Sequence, residues 1–287
     1  TDTYNEVDDQ YALSYMLHCP SRLHVQAIYA APFSNEKAAT PAEGMQKSYD
    51  EIFNILRLNG REDLFPIVHR GSTAYLPDEK TPIESDAARD LVARSRSYDS
   101  THPLYVIALG AITNIASAIL LDPTILERIV IVWLGGNGND WHDYREFYLP
   151  QDIASARIVL QSGGAVVQIP AYGVASALTT PMQEAEYWLR GKNALCDYLL
   201  DITLAEMADK VKTGVGSRKI WDISAIAYLT DEKETIARAK LVPAPLPLYD
   251  HNFTIPADAP KIMQVYYFDR DCVFRDLYRR LSANIRT

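Results

Sequence analysis

Short apolar runs alternate with stretches of helical periodicity along most of the chain. Leu23–Ala30 and Leu64–Val68 read as strands. Leu104–Leu109, Arg128–Leu134 and Ala165–Ile169 are near-continuous apolar runs of the kind buried on both faces of a parallel sheet. Between them the spacing predicts helices over Gly44–Leu58, stopped by Asn59-Gly60, then Ser85–Ser97, Ala111–Leu121, ended by Asp122-Pro123, and Gln151–Gln161. Tyr187–Lys212 is helix-rich, and Lys261–Phe268 and Asp269–Ile285 predict a last strand and helix. Such alternation implies right-handed crossovers and an α/β fold, a mainly parallel open sheet flanked by helices. No repeat, low-complexity tract or linker interrupts it, so a single domain over 1–287 is expected, with a helix-rich segment around 180–215. Sheets of this class bind ligands beyond the carboxyl ends of their strands. That rule selects Asp2–Asp9, Ala31–Asn35, Leu109–Asn114 and Gly135–Tyr148.

Composition narrows the chemistry. A formal net charge of −9 argues against a broad nucleic-acid surface, which needs a basic face, but leaves a small nucleoside open as a partner. Cys19, Cys196 and Cys272 are scattered without CxxC spacing, which indicates neither zinc nor a disulfide framework and suits a reducing cytosol. A cytoplasmic protein is expected, with a removed signal peptide ahead of Thr1 left open, and no apolar stretch is long enough to span a membrane. With 287 residues the chain can bury a large core unaided, so a metal would serve chemistry rather than folding.

Four constellations hold candidate chemistry. Asp2-Thr3-Tyr4-Asn5-Glu6-Val7-Asp8-Asp9 packs four acids into eight residues at the mouth of a helix. Capping and the helix dipole would account for one of them. Four repel, and a hard cation relieves that; oxygen-only ligands favour calcium or magnesium over zinc. Asp222 opens an apolar helix, where a cap is the plain reading unless it converges on the first cluster. Leu109-Gly110-Ala111-Ile112-Thr113-Asn114 is a strand–helix turn whose glycine allows a sharp bend, leaving the Leu109 carbonyl able to point into a site. Gly135-Gly136-Asn137-Gly138-Asn139-Asp140, followed by Glu146-Phe147-Tyr148, lacks a Walker lysine and dinucleotide spacing. It fits a loop laid over a polyhydroxylated ligand.

These residues resemble the inosine–uridine nucleoside hydrolases. Thr1-Asp2 followed by Asn5-Glu6-Val7-Asp8-Asp9 is similar to the second half of that family's amino-terminal aspartate signature, in its longer variant. Leu109–Asn114 is similar to its Gly-Pro-Leu-Thr-Asn turn. Trp133-Leu134-Gly135-Gly136 and Glu146-Phe147-Tyr148 resemble its Met-Gly-Gly and Glu-Phe-Asn motifs, and Trp221-Asp222 falls on its His-Asp pair. The resemblance implies a Rossmann-like nucleoside hydrolase fold, Ca2+ held by Asp2, Asp9, Asp222 and the Leu109 carbonyl, and Asp2 as general base acting on a metal-bound water. It implies ribose contacts from Asp8 and Glu146, with Asn5, Asn35, Asn137 and Asn139 as helpers, and Tyr148 and Trp221 beside the substrate. Homodimers or homotetramers are common in the family. Tyr148 stands where the family has an asparagine. Trp221 stands where it has a histidine tied to leaving-group protonation; an indole does not serve as an acid but stacks on a base.

The expected activity is calcium-dependent hydrolysis of a ribonucleoside N-glycosidic bond. Two rivals are a nucleoside- or ribose-binding protein that has lost catalysis, and a magnesium phosphohydrolase, for which no phosphate-binding lysine is evident.

Overall fold

The computed structural model describes residues 1–208, 212, 216–231 and 233–283. In chain order its helices are α1 (Asp8–Leu17), α2 (Pro41–Leu58), α3 (Asp86–Ser95), α4 (Thr113–Leu121), α5 (Tyr148–Gln151), α6 (Ile153–Leu160), α7 (Met182–Leu189), α8 (Ala194–Glu206), α9 (Ile223–Thr230) and α10 (Arg270–Ser282). Its strands are β1 (Ile28–Tyr29), β2 (Val68–His69), β3 (Leu104–Leu109), β4 (Ile129–Leu134), β5 (Ala165–Ile169), β6 (Thr179–Pro181), β7 (Ser217–Lys219), β8 (Ala237–Pro243), β9 (Leu246–Pro247), β10 (Phe253–Thr254) and β11 (Lys261–Phe268).

The main sheet has five strands in the order β3-β4-β5-β11-β8. All neighbours run parallel except the edge strand β8, which lies antiparallel to β11. The predicted mainly parallel α/β architecture is therefore present. Alternation along the strands divides the interior into two cores. Leu104, Val106, Ala108, Ile129, Ile131 and Trp133 pack with α3, α4 and α6, whereas Leu109, Val132 and Leu134 pack with α1, α8, α9 and α10. Each Leu, Val or Ile side chain among them removed from water contributes roughly 1.5–3 kcal/mol. A third cluster seats α2 on β1 and β2 through Ile52, Ile55 and Leu56. Pro41 and the Thr40 hydroxyl, which accepts from the Glu43 N–H at 3.2 Å, start that helix.

Several predicted elements need correction. Leu64–Val68 is not a strand: Glu62–Ile67 forms a 3-10 helix containing Pro66, and pairing begins only at Val68. A short apolar run with an internal proline suits a turn of helix as well as a ladder. Leu23–Ala30 pairs only at Ile28–Tyr29, because one side of that segment has no partner strand among the described residues. Gln151–Gln161 is two helices broken at Asp152, whose carboxylate caps the second. The helix-rich stretch resolves into α7 and α8, its remainder past 208 lying outside the described residues apart from 212, and the last helix ends at Ser282. No helix among the described residues is long and apolar enough to cross a membrane.

Candidate active site

The chain start is pinned to the carboxyl end of the sheet. The Asp2 N–H donates to the Leu109 carbonyl at 3.2 Å, and the Thr1 carbonyl accepts from the Ala31 N–H at 2.8 Å. Gly110 sits at φ +127, and a Cβ there would lie 3.2 Å from Asp2 Cγ. Glycine therefore serves both the turn and the approach of the Asp2 carboxyl. Asp8 and Asp9 open α1 on the next stretch, and α9 brings Asp222 in from far along the chain.

Capping does not explain these acids. The residue ahead of α1 is Val7, with no side-chain cap, and Asp222 ahead of α9 makes no side-chain cap either. Asp2, Asp8, Asp9 and Asp222 are 0, 1, 0 and 0% exposed. One carboxylate oxygen each from Asp8, Asp9 and Asp222 lie within 4.8 Å of one another. Partners are few. Asn5 Nδ2 donates to Asp2 at 3.4 Å, the Trp221 N–H donates to Asp8 Oδ2 at 3.1 Å, and the Thr1 hydroxyl donates to Asp9 Oδ1. The Tyr148 hydroxyl reaches Asp222 Oδ1 and Oδ2 at 3.2 and 3.0 Å.

Asp2 Oδ1, Asp8 Oδ1 and Asp9 Oδ2 are buried without a hydrogen-bond partner. Burial, followed by the Asp9 charge, holds the Asp2 carboxyl well above the carboxylate range. Asp222 is raised by burial and then by Asp9, Asp8 and Asp2, and Asp8 by burial and the neighbouring Glu6 and Asp9. Packing like charges out of water is expensive unless a cation is shared. Unpartnered oxygens, no histidine or cysteine in the trio and a mutual span under 5 Å fit a hard divalent cation.

The other expected residues divide into two groups. Asn5 and Asn35 belong with the acids: Asn35 Nδ2 donates to Asn5 Oδ1 at 2.8 Å, extending the chain of contacts from Asp2. Tyr148 is buried with its hydroxyl on Asp222, and Trp221 lies beside Asp8. Glu146 instead ties its own loop, accepting from the backbone N–H groups of Gly136 at 2.9 Å and Tyr148 at 2.7 Å. Burial still pushes its carboxyl upward. The Asn137 amide spans the loop, donating to the Asp143 carbonyl and accepting from the Tyr172 N–H, at 3.0 and 3.1 Å. The Asn139 amide bonds the Pro243 carbonyl and the Tyr144 hydroxyl, at 3.0 and 3.2 Å.

Two features escaped the sequence. Trp221 meets Tyr172 edge-on at 5.6 Å, Tyr172 stacks on Trp141 at 5.9 Å, and Lys219 Nζ lies 4.6 Å from the Trp221 ring centroid. Arg218 bridges Glu6 and Glu206 at 2.8 and 3.2 Å, and its charge pulls against the rise at Asp8. The adjacency of Lys219 to Trp221 was visible in sequence, but nothing local marked Tyr172.

Fold and pocket together define a class: an open, mainly parallel α/β protein with an oxygen-only acidic pocket at its strand ends. The chain belongs to the inosine-uridine preferring nucleoside hydrolase family, whose sequence profile matches residues 1–254. It is 26% identical over 183 residues to the inosine-uridine preferring nucleoside hydrolase of Leishmania major, a match spanning 62% of this chain and 57% of that protein. A plant nucleoside hydrolase superposes with TM-score 0.76 at 19% identity, over 99% of this chain and 98% of the other. A purine-preferring ribonucleoside hydrolase from Gardnerella vaginalis gives 0.75 at 19% identity, covering 98% and 96%. At these identities the likeness speaks for the fold.

Proposed function

We propose that this protein hydrolyses the N-glycosidic bond of a ribonucleoside, releasing ribose and nucleobase, at a calcium site formed by Asp2, Asp9, Asp222 and the Leu109 carbonyl. The observation that carries this reading is the meeting of four buried carboxylates, three with an unpartnered oxygen, at the strand ends of a family fold. When bound, the cation supplies a water of lowered pKa in a fixed place.

Breaking the bond builds positive charge on the sugar, in an oxocarbenium-like transition state. Asp2 Oδ1, with no other partner, takes the proton of the attacking water. A positioned base of this kind is worth ~10²–10⁴-fold. Asp8, held at Oδ2 by the Trp221 N–H, leaves Oδ1 for a ribose hydroxyl. Asn5 and Asn35 steady Asp2, and the surrounding carboxylates favour the developing cation. Trp221, whose backbone N–H meets Asp8, is the ring assigned to stack on the base, with Tyr172 edge-on beside it. Tyr148 is a poor proton donor to the leaving group: its hydroxyl is committed to Asp222, and burial with the Asp222 charge raises its pKa. With Tyr148 so committed, the base leaves as an anion or takes its proton from water or from His142 on the covering loop, supported by stacking.

One observation favours a variant within this reading. Asp8 sits with Asp9 and Asp222 in the tightest trio, which makes it the alternative ligand to Asp2. Comparing calcium affinity of Asp2→Asn and Asp8→Asn separates the two, the larger loss marking the ligand. The activity itself is tested by ribose release from purine and pyrimidine nucleosides. Release should fall roughly 10²-fold or more in EDTA and return with calcium. Nucleoside binding without ribose release would instead make this a binding protein.

A further inference from the structure

Arg218 and Lys219 are neighbours on β7, and alternation sends their side chains to opposite faces of the strand. Arg218 finds carboxylates, bridging Glu6 and Glu206 at 2.8 and 3.2 Å. Lys219 finds rings. Its Nζ lies over the Trp221 ring, 4.6 Å from the centroid, and 5.5 Å from the centroid of Tyr172. No carboxylate among the described residues forms an ion pair with it, in a chain whose formal net charge is −9.

The cation stands beside the acidic pocket. Two residues on, the Trp221 N–H donates to Asp8 Oδ2 at 3.1 Å, and the residue after that is Asp222. Between them the Ile220 N–H is fixed to the Leu178 carbonyl at 2.8 Å, which anchors the strand end carrying Lys219. Tyr172 meets Trp221 edge-on and stacks on Trp141, yet Trp141 and Tyr172 remain 37 and 38% exposed. Rings that served only the core would be covered. Here they form an open aromatic platform with an ammonium resting on it.

We propose that Lys219 is a catalytic residue for the departing base, its ammonium stabilising the negative charge that builds as the glycosidic bond breaks. This rests on the hydrolase reading above. The electron pair of that bond goes to the base nitrogen, the water oxygen bonds the anomeric carbon, and the water proton goes to Asp2. The base anion later takes a proton from solvent while Asp2 returns its own. Neither the Trp221 indole nor the committed Tyr148 hydroxyl balances that charge; Lys219 brings a full one. A base stacked on the ring face that Lys219 overlies shares a layer with the ammonium. Its ring nitrogens and carbonyl oxygens hold their lone pairs in that plane, and Nζ has three donors and no acceptor to offer them. The contact strengthens as the base becomes negative, and an interaction stronger in the transition state than in the bound nucleoside raises kcat. Carboxylates thus serve the sugar end of the breaking bond, and Lys219 the base end.

The test compares calcium-loaded parent, Lys219→Met and Lys219→Arg on a nucleoside and on p-nitrophenyl riboside, whose nitrophenolate leaves unaided. Met keeps the aliphatic stem over the rings and removes the charge; Lys219→Gln repeats the comparison should the Met variant fail to fold. On the nucleoside, Lys219→Met should lose kcat by about 10–10²-fold with little change in KM. On the nitrophenyl riboside the loss should be smaller by about tenfold or more, because water, Asp2 and sugar contacts are common to both. Lys219→Arg should recover most of the nucleoside rate. A second readout needs no turnover: Lys219→Met should weaken binding of nitrouracil, ionised near neutral pH, by about tenfold and leave neutral uracil nearly unchanged. Equal effects on the two ribosides, or equal affinity of parent and variant for nitrouracil, would overturn the role of Lys219. A parent that cleaves neither riboside would instead sink the hydrolase reading, and this inference with it.

Discussion

Asp152 and Asp2 are both buried aspartates near strand ends, and the protein treats them in opposite ways. Asp152 accepts from the Leu76 and Ser155 N–H groups, each at 3.0 Å, and from the Thr113 and Ser155 hydroxyls, each at 2.6 Å. Its four donors bind a loop, α4 and α6 together. Asp2, Asp8 and Asp9 each keep an oxygen with no donor at all. A buried carboxylate furnished by the protein itself is scaffold; one left short of donors awaits something the chain does not contain. Burial of an acid therefore says little about function until its partners are counted.

The contrast yields graded tests. The largest effect is expected at Asp2→Asn, with turnover down ~10²–10⁴-fold and Tm in chelator unchanged or higher, read by ribose release and thermal unfolding. A clear loss of Tm there would place Asp2 with Asp152. Conversely, Asp152→Ala should cost about 2–4 kcal/mol of stability, because several buried donors lose their acceptor. Turnover per folded molecule should stay close to the parent value, and denaturant unfolding beside a rate assay checks both halves.

The contrast also explains what could be read from the chain alone. Leu104–Leu109, Ala165–Ile169 and Lys261–Phe268 were legible because most of their apolar side chains are covered on both sheet faces, which writes the strand into consecutive positions. β8 escaped because an edge strand with Arg238 and Lys240 carries no such run. The acids were visible as residues, but their meeting was not, since Asp222 reaches Asp9 only through the packing of α1 against α9. Family resemblance supplied that link, and the absence of side-chain caps removed the simpler reading. Asn137 and Asn139 show the converse: loop asparagines that look available in sequence have their amides engaged within the fold.

Two smaller tests sharpen the comparison. Tyr148→Phe removes the hydroxyl that steadies Asp222 and should weaken calcium affinity by about tenfold, the lower end for a residue that orients a ligand. An unchanged calcium titration would assign Tyr148 to packing alone. Trp221→Ala should raise KM several-fold with little change in kcat, since an aromatic contact is worth about 0.5–1.5 kcal/mol. Steady-state kinetics on a purine and a pyrimidine nucleoside would show which base relies on that ring.

The most direct test is calorimetric titration of calcium into chelator-treated parent protein and Asp222→Asn, a substitution far in sequence from the amino-terminal acids. The convergence of these carboxylates on one cation predicts a single site per chain in the parent and a loss of affinity of roughly 10²-fold or more in the variant. Parent and variant binding calcium alike, or no binding by either, would contradict it.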